Sequence, residues 1–334
     1  MPRQSRIDAP GALHHVIGRG IARGTIFEDD QDRSYFIDRL STIVKESETR
    51  CYAWALIPNH FHLLLRTGNV PLATVMRRLL TGYAITYNLR HRRWGHLFQN
   101  RYKSILCQEE PYFLELVRYI HLNPLRADIV NDMEQLDTYG FCGHSIIMGK
   151  KRNDWQDSEA VLSRFGIGKG WPRRKYHEFV FQGIEQGKRS DLTGGGLVRS
   201  VGGWSVAKEL RKAKGYVKGD ERILGDGDFV DQVLRDAEDA LSRGNKLKAE
   251  GMNVEKVAER VARVFAMKAG EVWSSGKNRK IVQGRSLLCY WAVKELGETM
   301  TSMARRLNIS VTAVGKSVVR GDTLAKKNGY LLFE

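Results

Sequence analysis

The sequence predicts an α+β fold, in which a ferredoxin-like antiparallel sheet with helices is followed by an all-α domain. In about the first 145 residues, apolar segments typical of strands and amphipathic segments typical of helices follow the order β-α-β-β-α-β. From Phe229 onward, apolar residues recur at helical spacing only. We therefore expect a first domain over 1–145, a connecting helical segment over 146–228 and a helical domain over 229–334.

Four strands are predicted in the first domain. They are expected at "ALHHVIG" (12–18), "RCYAWALI" (50–57), "HFHLLLR" (60–66) and "HLFQNRYKSILC" (96–107). Pro58 and Asn59 should form the short turn between the second and third strands. The first of these segments alternates weakly between apolar and polar residues, and the second is apolar.

Three helices are predicted between and after these strands. They are "DDQDRSYFIDRLSTIVKES", "LATVMRRLLTGYAITYNLRHR" and "EPYFLELVRYIHLNPLRADIV". The first has acidic residues at its start and apolar residues at helical spacing. The third should stop near Asn123, because Pro124 cannot continue the backbone hydrogen bonding of a helix.

The remaining chain is predicted to be helical. "YHEFVFQGIEQG" and "WSVAKELRKAKG" should form short helices in the connecting segment, and glycines 194–196 a flexible turn. Further helices are expected at "FVDQVLRDAEDAL", "VEKVAERVARVFAM" and "RKIVQGRSLLCYWAVKELG". "TMTSMARRLNISVTAVGKSVVRG" then predicts a helix-turn-helix with its turn at Leu307–Ser310.

Composition limits the possible functions. The 334-residue chain has a net charge of +16, which suggests a polyanionic partner. It contains no apolar run long enough to span a membrane and no apolar core of a signal peptide near its start. The four cysteines are widely spaced, at Cys51, Cys107, Cys142 and Cys289. We therefore expect neither a disulfide framework nor a zinc site, and we expect a cytoplasmic location.

The positive charge is concentrated between Thr49 and Gln108, where no acidic residue occurs. The basic residues of this segment are Arg50, Arg66, Arg77, Arg78, Arg90, Arg92, Arg93, Arg101 and Lys103. An ordinary solvated surface mixes both signs of charge, so this pattern favours contact with nucleic acid. Tyr83, Tyr87 and Trp94 lie among these residues and either stack on unpaired bases or are buried in the helix interface.

Two histidines occur in the apolar third strand. His60 and His62 are two residues apart, so both side chains point to the same face. They are either two core imidazoles or two ligands of a divalent metal ion, and the second alternative requires a third donor. The adjacent His14 and His15 should point to opposite faces, so that one of them could approach DNA or this site.

The third helix offers that donor and a nucleophile. Tyr119 and Asn123 are four residues apart and share a helix face. Taken alone, Tyr119 could be a core aromatic residue and Asn123 a helix cap. Beside a histidine pair and a basic segment, a phenol is a possible nucleophile for a phosphodiester, and a cation at His60, His62 and Asn123 could stabilise the developing charge.

Four motifs carry a family resemblance. "HHVIGRG", "YAWALIPNHFHLLL", "FQNRYKS" and "YIHLNPLRA", in this order, resemble the single-tyrosine HUH transposases, and most closely the REP-associated tyrosine transposases of bacteria. The resemblance covers about residues 8–130. It implies the HUH nuclease fold and a transposase that cuts and rejoins single-stranded DNA at hairpin-associated or repetitive palindromic sequences.

The resemblance also implies roles for individual residues. Tyr119 would form a 5′-phosphotyrosine intermediate, and His60, His62 and Asn123 would hold Mg²⁺ or Mn²⁺. DNA contacts are expected from basic residues of the first domain, namely Arg19, Arg77, Arg78, Arg90, Arg92, Arg93, Arg101 and Lys103. The "RGIARGTIF" loop that contains Arg19 departs from the usual family sequence.

The last domain resembles the DNA-binding domain of the replication initiator DnaA over about residues 252–322. This resemblance implies contacts to duplex DNA: Arg279, Lys280 and Arg285 near the minor groove, and Ser310, Thr312 and Lys316 in the major groove. The recognition helix reads "SVTA" where the initiator has a different sequence, so the bases read should differ.

Two alternatives remain beside a DNA-cutting enzyme. One is a catalytically silent DNA-binding regulator of the same fold, and the other is a replication initiator of the HUH type. The single tyrosine and the absence of helicase motifs favour the transposase over the initiator, and the pair Tyr119 and Asn123 favours an enzyme over the regulator. A bacterial, nucleoid-associated location would follow, with no membrane contact and an undetermined oligomeric state.

Overall fold

The computed structural model describes residues 11–68, 70–168, 170–187, 189–193, 220, 222–276 and 278–333. The chain divides into two compact units, Met1–Asp231 and Gln232–Glu334. The domain boundaries predicted from the sequence stay a prediction.

A mixed sheet forms the centre of the first unit. Its strands are β1 (Leu13–Arg19), β2 (Arg50–Ile57), β3 (His60–Arg66), β4 (Lys103–Cys107) and β5 (Ile223–Leu224). Their order is β2-β3-β1-β4-β5. β1 is antiparallel to both β3 and β4, whereas β5 runs parallel to β4. The predicted α+β class is confirmed, and the first four strands with their intervening helices have the β-α-β-β-α-β order.

Eight helices lie wholly within the described residues of the first unit. They are α1 (Asp30–Glu46), α2 (Leu72–Arg90), α3 (Glu109–His121), α4 (Asn123–Arg126), α5 (Met133–Thr138), α6 (Gly143–Ile147), α7 (Ser158–Leu162) and α8 (Trp171–Phe181). Short 3-10 turns occur at Ile21–Arg23, Ser163–Phe165 and Ser190–Thr193. As predicted, α3 ends just before Asn123, and Pro124 lies in the first turn of α4.

The two faces of the sheet are covered by different helices. On one face, Phe36 of α1 packs against Phe61 of β3 and Tyr83 of α2. On the other face, a cluster that includes Leu64 and Ile105 packs against Leu116 and other residues of α3. Because neither face is open to water, the strands show long buried runs rather than a regular alternation of apolar and polar residues.

Two strand predictions were wrong in detail. β4 begins at Lys103 rather than at His96, and within residues 96–102 only an isolated bridge joins Phe98 to Gly20. β5 was not expected, because a two-residue strand that pairs over a long sequence distance leaves no periodic pattern. The predicted helix over 204–215 and the glycine turn at 194–196 lie outside the described residues.

The second unit is helical where the structure describes it. After α9 (Gly227–Ala249), which contains the division between the units, it has α10 (Val254–Val264), α11 (Ala269–Val272), α12 (Arg279–Tyr290), a π-helical turn at Trp291–Glu295, α13 (Met300–Leu307) and α14 (Val311–Asn328). Asn308 ends α13 in the left-handed conformation. The Ser310 hydroxyl accepts a hydrogen bond from the Ala313 amide at 3.1 Å and so caps α14. The short turn therefore lies at the predicted place.

None of the helices in the described part of the chain is both long enough and apolar enough to cross a membrane.

Gly321 sets the close approach of α14 to α12. A Cβ atom at this position would collide with the backbone carbonyl of Ser286, which cannot turn away as a side chain could. We expect Gly321→Ala to destabilise the second unit by about 1–3 kcal/mol, the usual cost of overpacking a core. Hydrogen–deuterium exchange of α12 peptides in the full chain, followed across a urea series, would measure this change.

Gly270→Ala is the matched control, because a Cβ atom there meets no other atom within 4 Å. Equal exchange midpoints for the two variants would show that the α12–α14 contact does not depend on Gly321.

Candidate active site

The register between β1 and β3 places the two predicted histidine ligands. His60 lies opposite Arg19 and His62 opposite Ile17, while His15 lies opposite Leu64. Residues directly opposite each other in an antiparallel pair project to the same face of the sheet. This face is the one that α3 covers, since Leu64 and Ile17 pack against the same cluster as Tyr119.

Four rings meet at this point, and we call them the ring cluster: His15, His60, His62 and Tyr119. The His62 centroid is 5.2 Å from that of His60 and 5.8 Å from that of Tyr119, which approaches edge-on. The His15 ring stacks on His62 at 5.2 Å and meets Tyr119 edge-on at 5.9 Å. The structure therefore brings together three of the predicted site residues, Tyr119, His60 and His62, although they come from β3 and α3.

The Nδ1 atom of each predicted ligand is already engaged. His60 Nδ1 lies 2.6 Å from Asn59 Oδ1, and Asn59 donates from Nδ2 to the Arg23 carbonyl at 3.2 Å. That second bond fixes the orientation of the amide, so Asn59 accepts from His60. His62 Nδ1 lies 2.9 Å from His15 Nε2.

These contacts suit a cation. Among the described residues, neither Nε2 atom of His60 and His62 has a hydrogen bond, which leaves this atom for a metal ion. A second hydrogen bond at the other ring nitrogen is the usual support for a metal-bound histidine. No group of three His, Cys, Asp or Glu side chains suitable for a metal occurs in the described part of the chain. The third donor predicted from the sequence is the amide of Asn123.

Burial keeps these imidazoles neutral. It lowers the pKa of His60 and of His15 to about 4, with a smaller contribution from Arg19 at His60. It also lowers the pKa of His62 well below its usual value, and His15, His60 and Arg19 add to this effect. A neutral imidazole has a lone pair for a metal ion, whereas a protonated one does not.

Asn123 caps the end of α3. Its Nδ2 donates to the Tyr119 carbonyl at 2.8 Å and to the Ile120 carbonyl at 3.4 Å. The amide nitrogen of Asn123 therefore acts as a helix cap, which was one of the two roles considered for this residue. The Oδ1 atom has no hydrogen bond within the described residues, and its role as a metal ligand stays a prediction.

Tyr119 is partly buried between aromatic and basic neighbours. Burial raises the pKa of its phenol, while Arg126 and Arg19 act in the opposite direction. The Arg126 guanidinium lies 5.4 Å from the ring centroid and donates to the carbonyls of Tyr119 and Gly183 at 3.4 and 3.2 Å. Sequence reasoning missed Arg126 as a site residue, although it lies seven residues after Tyr119, about two helical turns on.

The predicted DNA contacts of the first unit fall into two groups. Arg19, Arg77, Arg92, Arg101 and Lys103 are exposed. Arg78 pairs with Glu46, Arg93 lies 5.8 Å from the ring centroid of Tyr87, and Arg90, although exposed, binds Asp29 and Asp32. Arg90 is thus the least suited of the set to bind a phosphate.

The aromatic residues of the basic segment differ in their exposure to solvent. Tyr83 and Tyr87 are buried, and their hydroxyls donate to the Ile26 carbonyl and to the Glu28 carboxylate, respectively. Base stacking by these two tyrosines was therefore a wrong alternative. Trp94 is 89% exposed and remains a candidate for stacking.

In the second unit, the predicted DNA contacts lie on α12 and in the first turns of α14. Arg279 and Lys280 begin α12, where Lys280 donates to the Ala266 carbonyl at 2.8 Å, and Arg285 donates to the Ser274 carbonyl at 3.0 Å. Ser310 is the cap of α14, Thr312 is half-buried in its first turn and Lys316 is exposed one turn on.

Two comparisons with known proteins found a similarity. Residues 11–123 match the family model described as "Transposase IS200 like". A solved structure titled "Structure of the REP associates tyrosine transposase bound to a REP hairpin" is 13% identical, with a TM-score of 0.38, over 47% of this chain and 94% of that one. No curated protein sequence matches the chain.

The ion pairs of Arg90 yield a prediction. Asp32 is 3% exposed and its carboxylate also accepts from the Glu28 amide, so it depends on Arg90 for compensating positive charge. We expect Arg90→Ala to lower the melting temperature of the full chain by several degrees, because it leaves a buried carboxylate with less compensation. Its affinity for single-stranded DNA at moderate salt should change little.

Arg77→Ala is the control, since it removes the same charge from an exposed position of α2. The opposite result, in which Arg90→Ala leaves the melting temperature unchanged and weakens DNA binding more than Arg77→Ala, would identify Arg90 as a DNA ligand.

Proposed function

We propose that the protein is a metal-dependent endonuclease and strand transferase acting on single-stranded DNA, since residues 11–123 match the family model of IS200-like transposases. The observation that carries the proposal is the ring cluster, in which the Tyr119 ring approaches the His62 ring edge-on, with 5.8 Å between the two ring centroids. A nucleophile and two neutral ligands then share one partly buried site.

The proposed reaction is a transesterification. The Tyr119 hydroxyl oxygen attacks a backbone phosphorus, the bond from phosphorus to the 3′-oxygen breaks, and a 5′-phosphotyrosine and a free 3′-hydroxyl result. The phenol gives up one proton and the leaving 3′-oxygen takes up one. A 3′-hydroxyl that attacks the phosphotyrosine reverses these steps and rejoins the DNA.

His60 and His62 would hold Mg²⁺ or Mn²⁺ through their Nε2 atoms, together with the Oδ1 atom of Asn123. When bound, this ion supplies Lewis-acid stabilisation of the charge on the scissile phosphate. Arg19 and Arg126 add fixed positive charge beside Tyr119, which favours a phosphate there.

The substrate is proposed to be a single strand next to a hairpin. The exposed basic residues Arg77, Arg92 and Arg101 would neutralise backbone phosphates, and Trp94 would stack on an unpaired base. The hairpin itself rests on the resemblance of the four sequence motifs to the REP-associated branch.

The second unit is proposed to bind duplex DNA. Its support is the short turn between α13 and α14, with exposed Lys316 near the start of α14 and exposed Arg279 at the start of α12. This unit would add specificity to the reaction of the first unit.

Tyr119→Phe tests the nucleophile. We expect the full chain with Mn²⁺ and a labelled single-stranded hairpin oligonucleotide to form a covalent adduct that survives a denaturing gel. The variant should form none, because it lacks the attacking oxygen. Its fold should persist, since the Tyr119 hydroxyl has no hydrogen bond within the described residues.

Tyr112→Phe, on the same helix and also partly buried, is the control and should keep the adduct. An adduct in Tyr119→Phe would disprove this nucleophile. No adduct in the unmodified chain across a broad panel of hairpins would favour a catalytically silent DNA-binding protein.

The second unit is tested by the double variant Arg279→Ala and Lys316→Ala. It should bind duplex DNA more weakly than the unmodified chain and show a smaller slope of log K against log salt, by about 0.9 for each phosphate that the variant no longer neutralises. Adduct formation on a single-stranded hairpin at saturating concentration should remain.

The double variant Lys326→Ala and Lys327→Ala is the control for the change in net charge, because it also removes two exposed positive charges, near the end of α14. If this control weakens duplex binding as much as the variant of Arg279 and Lys316 does, the effect comes from overall charge and not from this surface.

A further inference from the structure

We propose that His15 is a positioning residue for the metal site: it accepts a hydrogen bond from His62 and thereby presents the Nε2 lone pair of His62 to the cation. This inference rests on the proposed function, since it concerns the same site. It assigns a role to a residue that neither touches the metal nor attacks the DNA.

The contact that carries the inference is short and fully enclosed. His15 Nε2 lies 2.9 Å from His62 Nδ1, and the two rings stack with an angle of 26° between their planes. His15 is 0% exposed and His62 is 3% exposed, so no solvent competes for this bond. A hydrogen bond inside such a pair fixes the orientation of both rings.

Only one direction of this hydrogen bond serves a metal site. A neutral imidazole has one protonated nitrogen and one lone pair. If His62 accepted from His15, the proton of His62 would sit on Nε2 and block the cation. If His62 donates from Nδ1, its Nε2 lone pair is available. His15 therefore has to be the acceptor.

The neighbouring ligand is built on the same principle. His60 donates from Nδ1 to Asn59 Oδ1, whose orientation is set by the bond from Asn59 Nδ2 to the Arg23 carbonyl. Both histidines of the pair are thus held at Nδ1 by an acceptor, although the two acceptors come from different elements. Two independent contacts of the same kind are what a metal site requires of its supporting residues.

His15 also touches the nucleophile. Its ring meets the Tyr119 ring edge-on at 5.9 Å, at nearly the same distance as His62 does. One buried side chain on β1, the strand between β3 and β4, therefore contacts both a proposed ligand and the proposed attacking residue. A change at His15 should therefore lower the affinity for the metal ion, and the reaction rate should fall because less of the site holds the ion.

The chain contains its own control in His14. This residue is as buried as His15, on the same strand, but it projects to the opposite face, where its Nδ1 lies 3.2 Å from the Ser104 hydroxyl. The two histidines differ in the face they serve and hardly in their burial.

The test compares side chains that differ in the position of the acceptor. In His15→Gln the amide oxygen can occupy nearly the place of Nε2, whereas in His15→Asn it is one methylene shorter and cannot reach His62. His15→Leu fills the space without an acceptor. Mn²⁺ affinity of each full-length variant, measured by titration with electron paramagnetic resonance of the free ion, gives a readout that is independent of DNA cleavage.

We expect His15→Asn and His15→Leu to weaken Mn²⁺ binding about 10–100-fold, the usual effect of removing such a supporting residue. His15→Gln should stay within a few-fold of the unmodified chain, and so should His14→Asn. Raising Mn²⁺ should restore much of the adduct-forming rate of His15→Leu, because its defect lies in cation binding. Circular dichroism shows which variants are folded. If only one of His15→Asn and His15→Leu folds, that variant is sufficient for the test.

Two results would overturn the inference alone: Mn²⁺ binding by folded His15→Leu that equals that of the unmodified chain, or a loss in His15→Gln as large as in His15→Leu. The second result would show that His15 acts by packing. Failure of the unmodified chain to bind Mn²⁺ and to form an adduct would instead overturn the proposed function, and the inference with it.

Discussion

The register between β1 and β3 is the constraint on which the site depends. Side chains alternate between the faces of a sheet, so a shift of one residue would turn His60 and His62 away from α3 and toward α1 and α2. The near-complete burial of β1 and β3 on both faces excludes that shift. The two-residue turn at Pro58–Asn59 fixes the register of β3 with its other neighbour, β2, and supplies Asn59, the acceptor that orients His60.

The adjacent residues His14 and His15 show what this arrangement makes possible. A strand covered on both faces can give consecutive polar side chains to separate environments, one toward Ser104 and one toward His62. Burying an imidazole without a partner is costly, and each of these rings has one. A site built in this way has little freedom to reorganise, which is the property that a nucleophile and its metal ligands need.

Much of the first unit could be predicted from the sequence, because its signals are local. The bounds of β2, β3 and α2, the turn at Pro58–Asn59 and the shared face of His60 and His62 follow from apolar spacing and from residues that break secondary structure.

The rest of the first unit depends on contacts between distant segments. Arg90 is paired with carboxylates about 60 residues away, His15 is joined to His62 across two strands, and β5 pairs with β4 over more than 100 residues. No periodic pattern reports such pairs, which explains why Arg90 was expected on DNA and why the sequence left open which of His14 and His15 lies at the site.

The charges around Tyr119 determine how the proposed site would assemble with its substrate. Burial keeps the imidazoles of His15, His60 and His62 neutral, so the ligands bring no negative charge to offset a divalent ion. Arg19 and Arg126 are the cationic side chains that act on the Tyr119 phenol, and they oppose a cation further. In the proposed reaction, the DNA phosphate would supply the missing negative charge, and it would also bind better with the ion present. Since the effect of one ligand on the affinity for another is reciprocal, metal and DNA would strengthen each other's binding at this site by the same factor. We therefore expect a site of neutral ligands among arginines to bind the ion more tightly once the strand to be cut is in place.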